Sequence, residues 1–216
     1  LIRRRLLCQE LPVPPPGAKI SPEVRTELLD GAAALSGEIE KLRGEFKGKS
    51  NTLALLPDIQ IFEKAVRWAV QYDEIFNATN EARDARSLLK QGMERVAQLR
   101  EGKPAWVLAT GLVVRGYVSA LDGSVQPYGL VVPASYTPDS PHQWRLDFWF
   151  HGRGETLSEL SFLSQRTKSN GDFTPRNAIV LHTYSRYCNG QKLAGEVDVF
   201  EALADVQKRY AIDEDR

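Results

Sequence analysis

The sequence predicts an α/β protein, with a helical module followed by strands and helices in alternation. Three observations carry this. Between Ser21 and Pro104, apolar residues recur at the spacing of amphipathic helices. After Pro104 the texture changes to short β-branched runs separated by turn residues. From there the order is strand, strand, strand, helix, strand, helix, that of an α/β sheet opening on an antiparallel hairpin. The division expected is an extended lead-in over 1–20, a helical module over 21–104 and an α/β segment over 105–216.

The lead-in holds Pro12, Pro14, Pro15, Pro16 and Gly17, which cannot donate a regular series of backbone hydrogen bonds. Ser21-Pro22-Glu23 then supplies an N-cap, a proline at the first helical position and an early acid. Val24, Leu28, Leu35, Ile39 and Leu42 carry that helix to about Phe46, where Gly44, Gly48 and a polar run stop it. A second helix is expected from Asp58 to Phe76 and a third from Asn80 to Arg100, ended by Gly102 and Pro104. The module reads as packing or a lid-like cap rather than as catalytic machinery. Val107 to Tyr117 and Gln126 to Pro133 form a hairpin about the Leu121-Asp122-Gly123-Ser124 turn. Trp144 to Phe150 is a strand, 155–166 a short helix, and Asn177 to Tyr184 a buried strand. Glu196 to Tyr210 is a helix with Val199, Leu203, Val206 and Tyr210 on one face, and 211–216 is a turn leading onward.

Composition excludes several classes. Acids and bases balance at 28 each, so no basic face for nucleic acid or anionic membrane is indicated. The apolar fraction of 42% allows a real core, yet no run approaches a membrane span. Cys8 and Cys188 stand far apart without a CxxC or histidine spacing, which disfavours a disulfide framework or zinc site. No GxGxxG, Walker-type loop or HExxH occurs, so no cofactor and no metal is expected. Three arginines before Leu6 and Leu7 do not make a signal peptide, and the start at Leu1 reads as a processed, partial or trimmed product.

The informative stretch is Phe148-Trp149-Phe150-His151-Gly152-Arg153-Gly154-Glu155. It sets His-Gly-x-Gly after an aromatic strand and ahead of a helix. Two glycines permit a sharp turn that exposes backbone N–H groups, the donors a developing oxyanion needs, and the helix would add its positive end. The plainer reading is a strand-to-helix turn with His151 packing. His182 ends the following strand, where α/β proteins place their sites, although one histidine there is more often structural. Glu155, Tyr184 and Arg186 are further candidates for substrate contact. Ser158, Ser161 and Ser164 lack a GxSxG setting and read as surface or helix-packing residues; Glu196 and Asp198 favour their helix N-terminus. Cys188 has no evident activating base.

Four stretches resemble bacterial prolyl-oligopeptidase-like and esterase-like α/β-hydrolases: TGLVVRGYVSALDGSVQPYGLVVPASY (110–136), RLDFWFHGRGETLSELSFL (145–163), AIVLHTYSRYCNGQKLAGEVDVFEAL (178–203) and YAIDEDR (210–216). The helical part, including LLPDIQIFEKAVRWAVQYDE (55–74), resembles the region preceding their catalytic domain. The resemblance implies the first half of an α/β-hydrolase sheet, with His151, Gly152, Arg153 and Gly154 as the oxyanion loop of a serine hydrolase cleaving ester or peptide bonds. It implies a partnership with the C-terminal half of the same protein, and secretion or a periplasmic place. The family's GxSxG nucleophile is absent from 1–216, and His142, His151 and His182 all precede where it would stand, so no catalytic residue is assigned and this chain alone is expected to be inactive. The alternative from another class is a noncatalytic binding or assembly module built on a partial sheet.

Overall fold

Ser21 opens the first helix as its sequence predicts: its side chain accepts the Val24 N–H at 3.3 Å, and α1 runs Pro22–Glu45. The computed structural model describes residues 14–138, 142–186 and 190–215; most of the lead-in, with Cys8 and Cys188, lies outside them. After α1 come a short α2 (Ser50–Leu53), which the sequence reading did not anticipate, then α3 (Pro57–Gln71) and α4 (Ala78–Arg100). The second predicted helix stops five residues early. Asp73 takes a left-handed backbone (φ 56°), which turns Ile75 into the core and presents its carbonyl to the Ala18 N–H at 2.6 Å. Asn77 caps α4 by accepting the Asn80 N–H at 3.0 Å.

Val107, where the sequence predicts the first strand to begin, closes a single 3-10 turn (Ala105–Val107), and β1 begins only at Gly111. Strands β1 (Gly111–Val118), β2 (Val125–Val132), β3 (Arg145–Trp149) and β4 (Ala178–Thr183) build one sheet in the order β1-β2-β4-β3. The first two form the expected antiparallel hairpin, β2 pairs antiparallel with β4, and β3 pairs parallel with β4. Helix α5 (Glu159–Arg166) is the crossover of that parallel pair, and α6 (Ala194–Arg209) follows β4. The fold is therefore mixed α/β.

The sheet is covered on both faces. Leu28, Leu35, Phe62, Val66, Leu88 and Leu99 of the helical module share one apolar cluster with Val114 of β1 and Leu160 of α5. Tyr128, Leu130, Ile179 and Leu181 turn the other way, against Ala202 and Val206 of α6. Each large side chain so buried contributes about 1.5–3 kcal/mol relative to exposure, more than helix propensity supplies. The helical module is thus a layer on the sheet, sharing its core.

Gly116 sets how closely α3 approaches β1. A Cβ added there would lie 2.3 Å from the Pro57 carbonyl oxygen, which belongs to backbone and cannot swing aside. Gly116→Ala is expected to lower stability by about 1–3 kcal/mol in urea denaturation. Gly37→Ala, in exposed α1 where an added Cβ meets nothing within 4 Å, is expected to raise it by about 0.5–1 kcal/mol.

Candidate functional site

Because β3 and β4 are parallel, both deliver their following loops to the same end of the sheet, the position at which open α/β sheets bind ligands. A cleft of about 430 Å³ lies there, lined by Trp149, His151, Gly152, Gly154, Arg166 and His182 among others. The ring of His151 ties the two loops together. Its Nδ1 lies 2.8 Å from the Gly152 carbonyl oxygen, and its Nε2 lies 3.0 Å from that of Tyr184. This histidine anchors the glycine loop to the end of β4.

One expectation about the loop is overturned. The helix does not follow directly: four residues intervene, and α5 begins at Glu159 with Ser158 as its cap, accepting the Ser161 N–H at 3.2 Å. A turn at Glu155 and Thr156, then Leu157, leads to that cap, so the positive end of α5 is not contiguous with the glycines. Gly152 and Gly154 lie outside the left-handed region that Gly123 and Gly171 occupy. What they provide is open space at Gly152 and a close fit against Leu157 at Gly154. The N–H groups of Gly152, Arg153 and Gly154 make no hydrogen bond to another described residue, and Gly152 and Gly154 line the cleft. Arg153 and Glu155 point outward and pair with each other at 3.0 Å.

His182 stands inside β4, 4% exposed, opposite Trp149 on one side and Gly129 on the other. Burial pushes its ring pKa down to about 4, and the charges of Arg166 and His151 push the same way. At neutral pH it is an uncharged imidazole in the cleft wall.

The other candidates lie elsewhere. Tyr184 is buried with its ring 5.3 Å from Phe162, and it borders a second, smaller cavity of about 140 Å³ with Trp68, Glu74, Glu159 and Arg186. In that cavity Glu159 meets Lys64 at 3.0 Å, and burial pushes its carboxyl up to about 7 against the pull of the lysine. Arg186, with Ser185, sits in left-handed backbone (φ 64° and 56°). Its guanidinium binds Asp198 at 2.9 Å, the Ser119 hydroxyl at 2.7 Å and the carboxylate of Asp122. It staples the β1–β2 turn to α6. Asp198, read from sequence as a helix-start acid, is the buried half of that staple.

Sequence reasoning missed Arg166, which reaches the cleft from the last turn of α5, and Trp149 as part of its wall. In sequence Arg166 reads as an ordinary base at a helix C-terminus, and only the crossover brings it to His182.

No family model, no curated protein and no solved structure matches this chain. No helix among the described residues is long and apolar enough to cross a membrane.

Proposed function

We propose that the chain is the N-terminal part of a serine hydrolase of the prolyl-oligopeptidase-like or esterase-like α/β type, supplying the oxyanion loop for acyl transfer at an ester or peptide bond. The observation that carries the reading is the direction of the chain after α6. Ile212 pairs parallel with Trp144, on the side of β3 away from β4. The Trp144 N–H donates to the Ala211 carbonyl at 2.8 Å, and the Asp213 N–H donates to the Trp144 carbonyl at 2.9 Å. A strand prolonged in this register would run alongside β3 toward the loop that holds His151–Gly154. That is where a serine on a strand-to-helix elbow must stand to share one oxyanion site with the loop.

In this reading the serine Oγ attacks the carbonyl carbon while a histidine on the later residues takes its proton and an acid orients that histidine. Charge develops on the carbonyl oxygen, and donors fixed in advance stabilise it without reorganising. The loop N–H groups at Gly152–Gly154 are such donors, and the residue after the serine supplies the partner N–H. Esterase and peptidase chemistry share these steps.

The test is a fluorophosphonate probe applied to the 216-residue chain and, in parallel, to the product of the same reading frame carried past Arg216. The expected result is labelling of the longer product on the serine of a GxSxG that follows Arg216, and none of the 216-residue chain. Labelling within residues 1–216 overturns the proposal. So does a reading frame without a GxSxG soon after Arg216, which would favour a noncatalytic binding or assembly module.

A further inference from the structure

Arg166 is a half-buried cation that, among the described residues, is held in place by shape rather than by an acid. Its aliphatic stem lies on β2 where Gly129 leaves room: a Cβ added at Gly129 would stand 2.8 Å from Cγ and 3.0 Å from Cβ and Cδ of the arginine. Its head passes Gly171, whose left-handed φ of 78° and missing side chain leave a Cβ position 3.5 Å from Nη1. Nη1 lies 3.1 Å from Nδ1 of His182. Among the described residues no carboxylate comes within 4 Å of the guanidinium, and Nε and Nη2 make no hydrogen bond. Glu81 reaches the same cleft, but its carboxylate accepts the N–H groups of Phe76 at 2.6 Å and Asn77 at 3.3 Å. The other acid near α5, Asp84, is taken by Lys168 and Ser164. Burial pushes the arginine pKa down, and no acid among the described residues offsets it. A cation withdrawn from water without a counter-charge is costly, so such a site favours an anion.

The rest of the cleft tells what carries that anion. His182 is neutral and adds no competing positive charge. At the lip, Trp149 is 39% exposed and stacks on Phe173 with centroids 6.2 Å apart and planes 16° from parallel. A volume of about 430 Å³ fits a small organic molecule. We propose that this cleft binds a carboxylate-bearing ligand, with the carboxylate paired to the Arg166 guanidinium and its apolar part against Trp149. As a specificity for acidic acyl or leaving groups it rests on the hydrolase reading above; as a binding site it stands on Arg166 alone. The planar guanidinium matches a planar carboxylate through two parallel N–H donors, which is why carboxylate is assigned ahead of phosphate.

Phenylacetate, phenylacetamide and phenyl phosphate are titrated into the 216-residue chain and followed through the His182 ring proton by NMR. Phenylacetate is expected to shift that resonance saturably and to bind at least about tenfold tighter than the amide, the ratio a charge-assisted pair supplies. Arg166→Gln is expected to abolish the preference. Arg166→Lys, which keeps the charge and loses the two-donor edge, is expected to weaken phenylacetate binding several-fold and covers the case in which the glutamine variant does not fold. Equal affinity for acid and amide in the native chain overturns the proposal, as does a preference that survives in folded Arg166→Gln or is unchanged in Arg166→Lys. Tighter binding of phenyl phosphate overturns the carboxylate assignment. No turnover enters the measurement, so a failure here leaves the acyl-transfer reading standing, and failed fluorophosphonate labelling leaves the binding result standing.

Discussion

Replacing Asp58 with alanine is expected to lower stability by about 3–5 kcal/mol, the cost of stranding buried charge, seen as a large fall in the urea midpoint. Asp58 is fully buried at the start of α3, and its carboxylate is the meeting point of five donors. Arg115 approaches at 3.1 and 2.9 Å, the Gly116 N–H at 2.9 Å, the Trp106 indole at 3.0 Å and Arg209 at 3.4 Å. Removing the acid leaves Arg115, 1% exposed, without a counter-charge. Burial by itself would raise the Asp58 pKa, but the charges of Arg115 and Arg209 outweigh it and hold the carboxyl below its ordinary range. A lowered folded-state pKa gives stability that is present above the unfolded carboxylate range and lost as pH falls through the folded value. The deficit of Asp58→Ala is therefore largest at neutral pH and shrinks in strong acid. Adding Arg115→Met should restore part of the loss, since an apolar replacement removes the stranded charge. A double variant no more stable than the single one would show that the acid matters through Trp106 and Gly116 instead.

Arg186→Met is the second large effect, with an expected loss of about 3 kcal/mol. Asp198 has its side chain 3% exposed and one carboxylate oxygen without a hydrogen-bond partner, so the guanidinium is its main compensation. Burial already raises the Asp198 pKa against the pull of Arg186. Without the arginine the folded state favours the protonated acid still more, so the deficit grows as pH rises and shrinks in acid. Phenylacetate affinity is expected to stay unchanged while the variant remains folded. A fall in affinity at unchanged stability would return Arg186 to the substrate-contact role that its sequence position suggests.

Much of the layer structure was legible from local signals. The Ser21 cap, the hairpin turn at Asp122-Gly123 and the apolar run of β4 each act through neighbours in sequence, and each stands where predicted. The end of α3 was not legible, because Tyr72 prolongs the apolar period while Asp73 turns left-handed and accepts from Arg25 at 2.9 Å. Of the candidate site, His151, Gly152, Gly154 and His182 were marked in the sequence and lie on one cleft, while Arg153 does not line it. Arg166 was invisible because nothing local marks an arginine whose neighbours are glycines on another strand and loop. Asp58, Arg115 and Arg209 were invisible for the same reason: a buried charge cluster has no periodicity, only partners.

Those partners also fix an order of events during synthesis. Asp58 and Arg115 are separated by 57 residues, and Asp58 and Arg209 by 151. While a nascent chain holds only the helices through Arg100, the Asp58 carboxylate has neither arginine and is best left in water, which keeps α3 from closing over it. The helical layer would then consolidate late, once β1 and the end of α6 have both left the ribosome, and a chain stalled between them would wait as an open, chaperone-dependent intermediate.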